Sequence, residues 1–277
     1  MSHHRLVMVA ATLLAVYSLS PAASSRPVPG DVTGLLSAGN STGDAESVLN
    51  QARASLGGSK ALESVTTLEI QAVEERQADG PVPAGATVYE VRPEPFRFRM
   101  RWPGRFQFTR PSFTHTLNGP AFWLEQTGGT PVPVSPDIET TARRSTELNA
   151  AYLTLAFLLR TPPWLRWQPR YLGVTKTDGI EGPTVEFIGP TGHGPKVVFD
   201  SARHMPVAVV TTARRMDGSG ERVVQVVRRL EDYRNVGELR FPFRLDERAP
   251  GYHIIRRISI IRVNPPLGLR DFAKPSR

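Results

Sequence analysis

The residues able to do chemistry are few in this chain and stand apart from one another. Past the N-terminal segment the histidines are His115, His193, His204 and His253, with no two at the paired spacing of a zinc motif. They read as surface or internally satisfied histidines. Cysteine is absent, which excludes disulfides, thiol catalysis, thiolate metal sites and the lipidated cysteine of a bacterial lipoprotein. Gly218-Ser219-Gly220 has the composition of a hairpin tip, whereas a nucleophile elbow needs a strand-to-helix turn. The glycine-rich stretch Gly189–Gly194 lacks the lysine and following helix of a phosphate loop. Glu74 and Glu75 are adjacent carboxylates on a strand pattern, so they point to opposite faces and make a poor acid–base pair. No catalytic constellation and no cofactor site follows from these residues.

Charge narrows the choice further. The chain of 277 residues has a formal charge of +8, and its basicity is almost all arginine, with lysine only at positions 60, 176, 196 and 274. Guanidinium suits phosphate and anionic lipid. Here the arginines are dispersed without the aromatic signature of an RNA-binding module, which argues against nucleic acid as a partner. A hydrophobic fraction of 40% is enough for a packed core.

The elements that must position such residues are mainly strands. In the last third Pro183–Ile188, Lys196–Asp200, Val207–Arg214, Glu221–Tyr233, Arg240–Arg248 and Tyr252–Val263 are β-branched runs bounded by turn chemistry. A second meander precedes them: Thr67–Val73, Thr87–Val91, Pro95–Trp102, Arg105–Thr109, Phe113–Leu117 and Ala121–Gln126. Pro95–Trp102 alternates most cleanly. Phe96, Phe98, Met100 and Trp102 face one way and Arg97, Arg99 and Arg101 the other, and Phe106 and Phe108 repeat the pattern on the returning strand.

Helices are predicted from Asp44 to Leu56, closed by Gly57-Gly58, in a short turn after Ser59, and over Asp137–Arg160. The second half of the long helix, Ala150–Leu159, is apolar almost all round, so several of its faces must be buried. Leu148, Tyr152, Leu155 and Leu159 form the stripe expected on the sheet, which leaves Leu153, Phe157 and Leu158 needing another apolar neighbour. Thr161-Pro162-Pro163 stops it. An aromatic-lined antiparallel sheet with such a helix is suited to binding apolar matter.

At the N-terminus, Arg5 followed by the apolar Leu6–Leu19 and the small residues Ser20–Ser24 reads as a secretory signal. The apolar stretch is shorter than the ~20 residues that span a bilayer. The expected organisation is a signal segment at 1–23, a Pro/Gly/Ser-rich linker at 24–43 and a single domain at 44–277.

Several stretches taken in order resemble one family. Ala54-Ser55-Leu56-Gly57-Gly58-Ser59-Lys60-Ala61-Leu62, leading into Val65–Ile70, is similar to the opening of exported LolA-like, outer-membrane lipoprotein-sorting proteins. Val197-Val198-Phe199-Asp200 with Met205-Pro206-Val207 resembles their strand–Asp–turn–Pro–strand hairpin. Glu231-Asp232-Tyr233-Arg234 with Leu239-Arg240-Phe241-Pro242 resembles a later hairpin, and Val263-Asn264-Pro265-Pro266 with Asp271–Pro275 the closing segment. Residues 80–167 match no such motif.

The resemblance implies a mainly β fold with accessory helices: an unclosed antiparallel half-barrel covered by helices, its concave face apolar. It further implies a periplasmic, monomeric, non-enzymatic carrier of lipid or lipoprotein acyl chains that exchanges cargo with membrane-bound donor or acceptor proteins. An envelope regulator or structural protein of the same fold, sensing lipoprotein or docking a membrane partner, is the alternative. The apolar cavity is expected at Phe96, Phe98, Met100, Trp102, Phe106, Phe108, Leu155 and Phe157. Asp200, Asp232 and Tyr233 are expected to be structural, as turn and hairpin residues.

Overall fold

The structure, a computed structural model, describes residues 42–77, 93–126, 129–190, 192, 194–217, 220–250 and 252–275. The segment expected to be a signal, the expected linker as far as Ser41, the strand expected over Thr87–Val91, His193 and the Gly218-Ser219 tip lie outside the described residues.

Two antiparallel meanders make one sheet. The first contains β1 (Thr67–Gln77), β2 (Glu94–Arg101), β3 (Arg105–Thr109), β4 (Phe113–Asn118), β5 (Ala121–Gln126) and the two-residue β6 (Thr130–Pro131). The second contains β7 (Gln168–Thr177), β8 (Ile180–Ile188), β9 (Lys196–Phe199), β10 (Pro206–Asp217), β11 (Gly220–Val236), β12 (Leu239–Ala249) and β13 (Tyr252–Val263). Each strand pairs with its sequence neighbours, and the meanders join where β1 pairs with β13. The order is β6-β5-β4-β3-β2-β1-β13-β12-β11-β10-β9-β8-β7. Among the described residues β6 and β7 are therefore the two edges of an unclosed sheet.

Three α-helices accompany the sheet among the described residues: α1 (Thr42–Ser55), α2 (Ser59–Glu63) and α3 (Pro136–Leu158). Helix α1 buries Ala45, Leu49 and Ala52, with Leu56 just beyond its end, at 3–4 residue spacing. It stops at Gly57 and Gly58, both at positive φ. A Cβ at Gly57 would lie 2.4 Å from the Glu238 carbonyl oxygen, so glycine is required there for close approach as well as for backbone conformation.

Helix α3 has the more demanding task. The chain leaves the sheet at one edge, β6, and re-enters at the other, β7, so the connecting helix must cross the concave side. That route explains an apolar second half with no wet face: Ala150 to Leu158 are all buried. Pro136 begins the helix, Asp137 and Glu139 complement its dipole, and Leu159 ends it in the left-handed region.

The strands follow the expected alternation. Phe96, Phe98 and Met100 are buried while Arg97, Arg99 and Arg101 are half-buried. Phe98 lies opposite Phe108 with ring centroids 5.0 Å apart, and Met100 lies opposite Phe106. β13 departs from a simple alternation. Its register against β1 shifts between Gln71 and Ala72, which leaves Ser259 as the extra residue, so Ile254, Arg256 and Ile258 share a face with Ile261.

Asp200 accepts a hydrogen bond from the Ala202 amide at 2.9 Å and closes a turn, and the Tyr233 hydroxyl donates to the Pro206 carbonyl at 2.7 Å. Asp232 pairs with Arg234 at the surface, and Asn264 accepts from the Thr66 amide at 2.8 Å, tying the chain's end to the start of β1.

Strand β7 precedes the expected second run, which the sequence pattern starts at Pro183. It is an edge strand whose residues are half or fully exposed, with a register shift between Tyr171 and Val174 around Gly173. A strand wet on one edge and broken by a bulge carries no clean period of two.

Candidate functional site

A cavity of about 180 Å³ lies between the concave face and the first half of α3. On the sheet side it is lined by Phe96, Phe108, Phe113, His115 and Leu124, and on the loop side by Val132, Pro133 and Val134. Helix α3 contributes Ile138, Thr141, Ala142, Ser145, Thr146, Asn149, Tyr152 and Leu153, which lie at helical spacing on one face.

The cavity has a simple origin in the sequence. At Thr141, Ala142, Ser145 and Thr146 the facing positions carry short side chains, so the helix cannot fill the space to the aromatic strands there. Further along, Leu155, Phe157 and Leu158 do fill it, and the Phe157 ring lies 6.1 Å from that of Phe241.

One wall is charged and dry. Glu74 on β1, Arg256 on β13, Glu247 on β12 and Arg228 on β11 alternate in sign across adjacent strands, and Arg110 adds a third guanidinium just after β3. All five are at most 8% exposed. Arg256 Nε lies 2.8 Å and Arg110 Nη2 3.1 Å from Glu74 Oε2, and Arg256 Nη1 lies 3.2 Å from Glu247 Oε2. The pairs Glu74–Arg256 and Glu247–Arg228 stand directly opposite in the ladder.

Burial alone would raise the Glu74 carboxyl, but Arg256, Arg110 and Arg76 together hold it well below the usual carboxylate range. Glu247 is held low in the same way, with burial outweighed by Arg228 and Arg256. Aromatic rings cover the cations: Arg256 and Arg110 lie 5.3 Å and 5.4 Å from the Phe96 ring centre, and Arg228 4.9 Å from that of Tyr152. Burial also raises the Tyr152 hydroxyl, against the opposing pull of Arg228.

This arrangement suits binding. Arg110, Arg228 and Arg256 are the cavity's cationic residues; Arg110 and Arg256 bond Glu74, Arg256 and Arg228 bond Glu247, and Arg228 also reaches Thr211. His115 bonds Thr146 rather than a carboxylate, and His253 bonds Asp246 without lining the cavity. A Gly-x-Ser-x-Gly spelling does occur at Gly39–Gly43, but it follows a glycine- and serine-rich stretch rather than an apolar strand. Among the described residues no group of three or more His, Asp or Glu could hold a metal ion. Among them, too, no helix is long and apolar enough to cross a membrane.

Of the eight residues expected to form the site, Phe96 and Phe108 line the cavity. Phe98, Met100, Phe106, Leu155 and Phe157 are sealed in the main core at 0–1% exposure. Trp102 is half-buried at the far end of the β2–β3 hairpin, where the Arg160 guanidinium lies 4.0 Å from its ring centre. Sequence reasoning missed Arg110, Phe113, His115, Arg228 and Arg256. Part of that signal was available. Glu74 continues the core-facing series Leu68, Ile70, Ala72, and Arg256 sits between Ile254 and Ile258, so both charges fall on the buried parity.

No protein-family model and no curated protein matches the sequence. Solved structures do match in shape. A LolA superfamily protein from Nitrosomonas europaea is 12% identical with a TM-score of 0.51, covering 83% of this chain and 97% of its own. A DUF1329 family protein from Desulfovibrio piger is 9% identical with a TM-score of 0.50 and the same coverage. Two meanders joined through β1 and β13, edges at β6 and β7, and a helix crossing the concave side agree with that likeness: the protein has a LolA-like fold.

Proposed function

We propose that this protein is an exported, periplasmic carrier that holds an acyl chain of a lipoprotein or another lipid in the cavity beneath α3. Residues 1–23 would act as a cleavable signal, 24–43 as a linker and 44–277 as one unit. The observation that carries the reading is the cavity itself: a pocket walled by Phe96, Phe108, Leu124, Val132, Ile138 and Leu153. Apolar walls favour apolar cargo at roughly 25 cal/mol per Å² removed from water.

At about 180 Å³ the cavity is smaller than the ~300–1,000 Å³ usual for a small-molecule site. Accommodating a long chain therefore requires the first half of α3 to move away from β4 and β5. That half is the looser one, since Asp137 to Arg144 are half or fully exposed whereas Ala150 to Leu158 are buried. The second half then serves as the fixed end about which the first half moves.

Native mass spectrometry of the protein purified from its own host is the direct test. Retained lipid, removable by delipidation and replaced by added fatty acid, is the expected result. A stable complex with a membrane protein and no lipid at any stage would overturn the carrier reading. Hydrogen exchange tests the movement: residues 137–147 should lose protection when lipid is added while 150–158 stay protected.

A further inference from the structure

In the cavity wall one ring nitrogen has no partner. His115 sits on β4, with its ring 4.8 Å from that of Phe113 and 6.2 Å from a perpendicular Phe122. It lines the cavity. Its Nδ1 lies 3.2 Å from Thr146 Oγ1 on α3. The Thr146 hydroxyl already donates its hydrogen to the Ala142 carbonyl at 2.8 Å, so towards His115 its oxygen can only accept.

The tautomer follows. Nδ1 carries the proton of the neutral ring, and Nε2 is left as a bare lone pair, buried and without a hydrogen-bond partner. Burial, with Arg110 adding to it, pushes the ring down to about 3, so Nε2 does not protonate at ordinary pH. A buried acceptor left unmade costs stability that a suitable donor recovers.

We propose that the lipid taken into this cavity carries a hydrogen-bond donor close to its acyl chain, a hydroxyl or an amide N–H, and that His115 Nε2 accepts it. This rests on the carrier reading and adds a chemical selection to it. The apolar wall holds the chain, and the ring nitrogen distinguishes a hydroxylated or N-acylated lipid from a plain ester. Thr146 fixes the tautomer from the helix side in the empty protein, and Nε2, sealed while α3 is seated, meets the entering lipid as an acceptor once the first half of α3 lifts from β4.

Three uncharged probes of equal chain length test it by displacing a bound fluorescent fatty acid: methyl tetradecanoate, methyl 3-hydroxytetradecanoate and N-methyltetradecanamide. The two donor-bearing probes should bind about tenfold more tightly than the plain ester. The hydroxy ester and the amide report separately on the two donor types. In His115→Phe the ratio should fall to about one.

A second readout needs no variant. The His115 Nε2 nitrogen resonance of the wild-type protein should move on adding a donor-bearing probe and stay put with the plain ester. Equal binding of all three probes, an unmoved resonance or a preference retained in His115→Phe would overturn the inference while leaving the carrier intact. Failure of every probe to displace the fatty acid would remove the carrier reading, and the inference with it.

Discussion

The two ends of the β2–β3 hairpin present the same kind of surface to the concave side and meet different fates. At the turn end Met100 and Phe106 are sealed in the main core together with Phe98, which stands at the boundary opposite Phe108, and Leu155, Phe157 and Leu158 of α3 belong to the same core. At the other, Phe96 and Phe108 face space, because α3 presents Ala142, Ser145 and Thr146 there. An aromatic wall is thus core or binding surface according to the length of the side chains opposite. The charged belt is placed accordingly. Arg110, Arg228 and Arg256 all reach the cavity end, where a wall without a packed helix face can hold polar groups.

The largest test of this contrast is a matched truncation. Phe157→Ala at the sealed end should cost about 3–5 kcal/mol in urea unfolding, since it opens a cavity in packed core. Phe108→Ala, bordering existing space, should cost less. Equal costs would break the comparison. Next in size is the belt. Glu74→Gln leaves Arg110 and Arg256 facing a neutral amide and should cost about 3 kcal/mol in the same assay, because the surviving buried charges lose their counterion.

Acid probes the same end with the sign fixed. Glu74 and Glu247 have folded-state carboxyls held low, so their contribution is present above the unfolded carboxylate range and lost as pH falls. His115, also depressed, acts in the same direction. Below about 6.5 the unfolded chain takes up a proton that the folded ring refuses, worth about 2 kcal/mol of lost stability between pH 8 and pH 5. Urea midpoints across that interval should therefore fall with pH, and His115→Phe should flatten the slope.

The smallest effect on stability belongs to the change most harmful to binding. Ala142→Leu puts a longer side chain into the existing space and should alter stability by no more than ~1 kcal/mol. Fatty-acid affinity should drop about tenfold or more, read by displacement. If affinity is unchanged, the cargo does not lie beneath α3.

Much of this was legible along the chain. The alternation at 95–102 assigned faces to Phe96, Phe98 and Met100 and to the intervening arginines, because a strand's side chains must alternate. The unbroken apolar character of Ala150–Leu159 required burial on several sides, and the crossing between β6 and β7 supplies it. Turn residues such as Gly57, Asp200 and Asn264 stand where their chemistry placed them.

Other features depended on contacts that no local pattern encodes. Parity says which face a residue takes but not which stretch of that face a helix will cover, so Phe96 and Phe98 were indistinguishable until α3 was in place. The pairing of β1 with β13 joins residues nearly two hundred positions apart, and it alone brings Glu74 to Arg256. The same long-range closure sets Arg228 and Arg110 at one end of the concavity. His115 looked like an isolated histidine; the hydroxyl that fixes its proton comes from a helix thirty-one residues further along the chain. Local sequence determined elements and faces because backbone geometry is local. The site was decided by tertiary structure because it consists of the space left between elements.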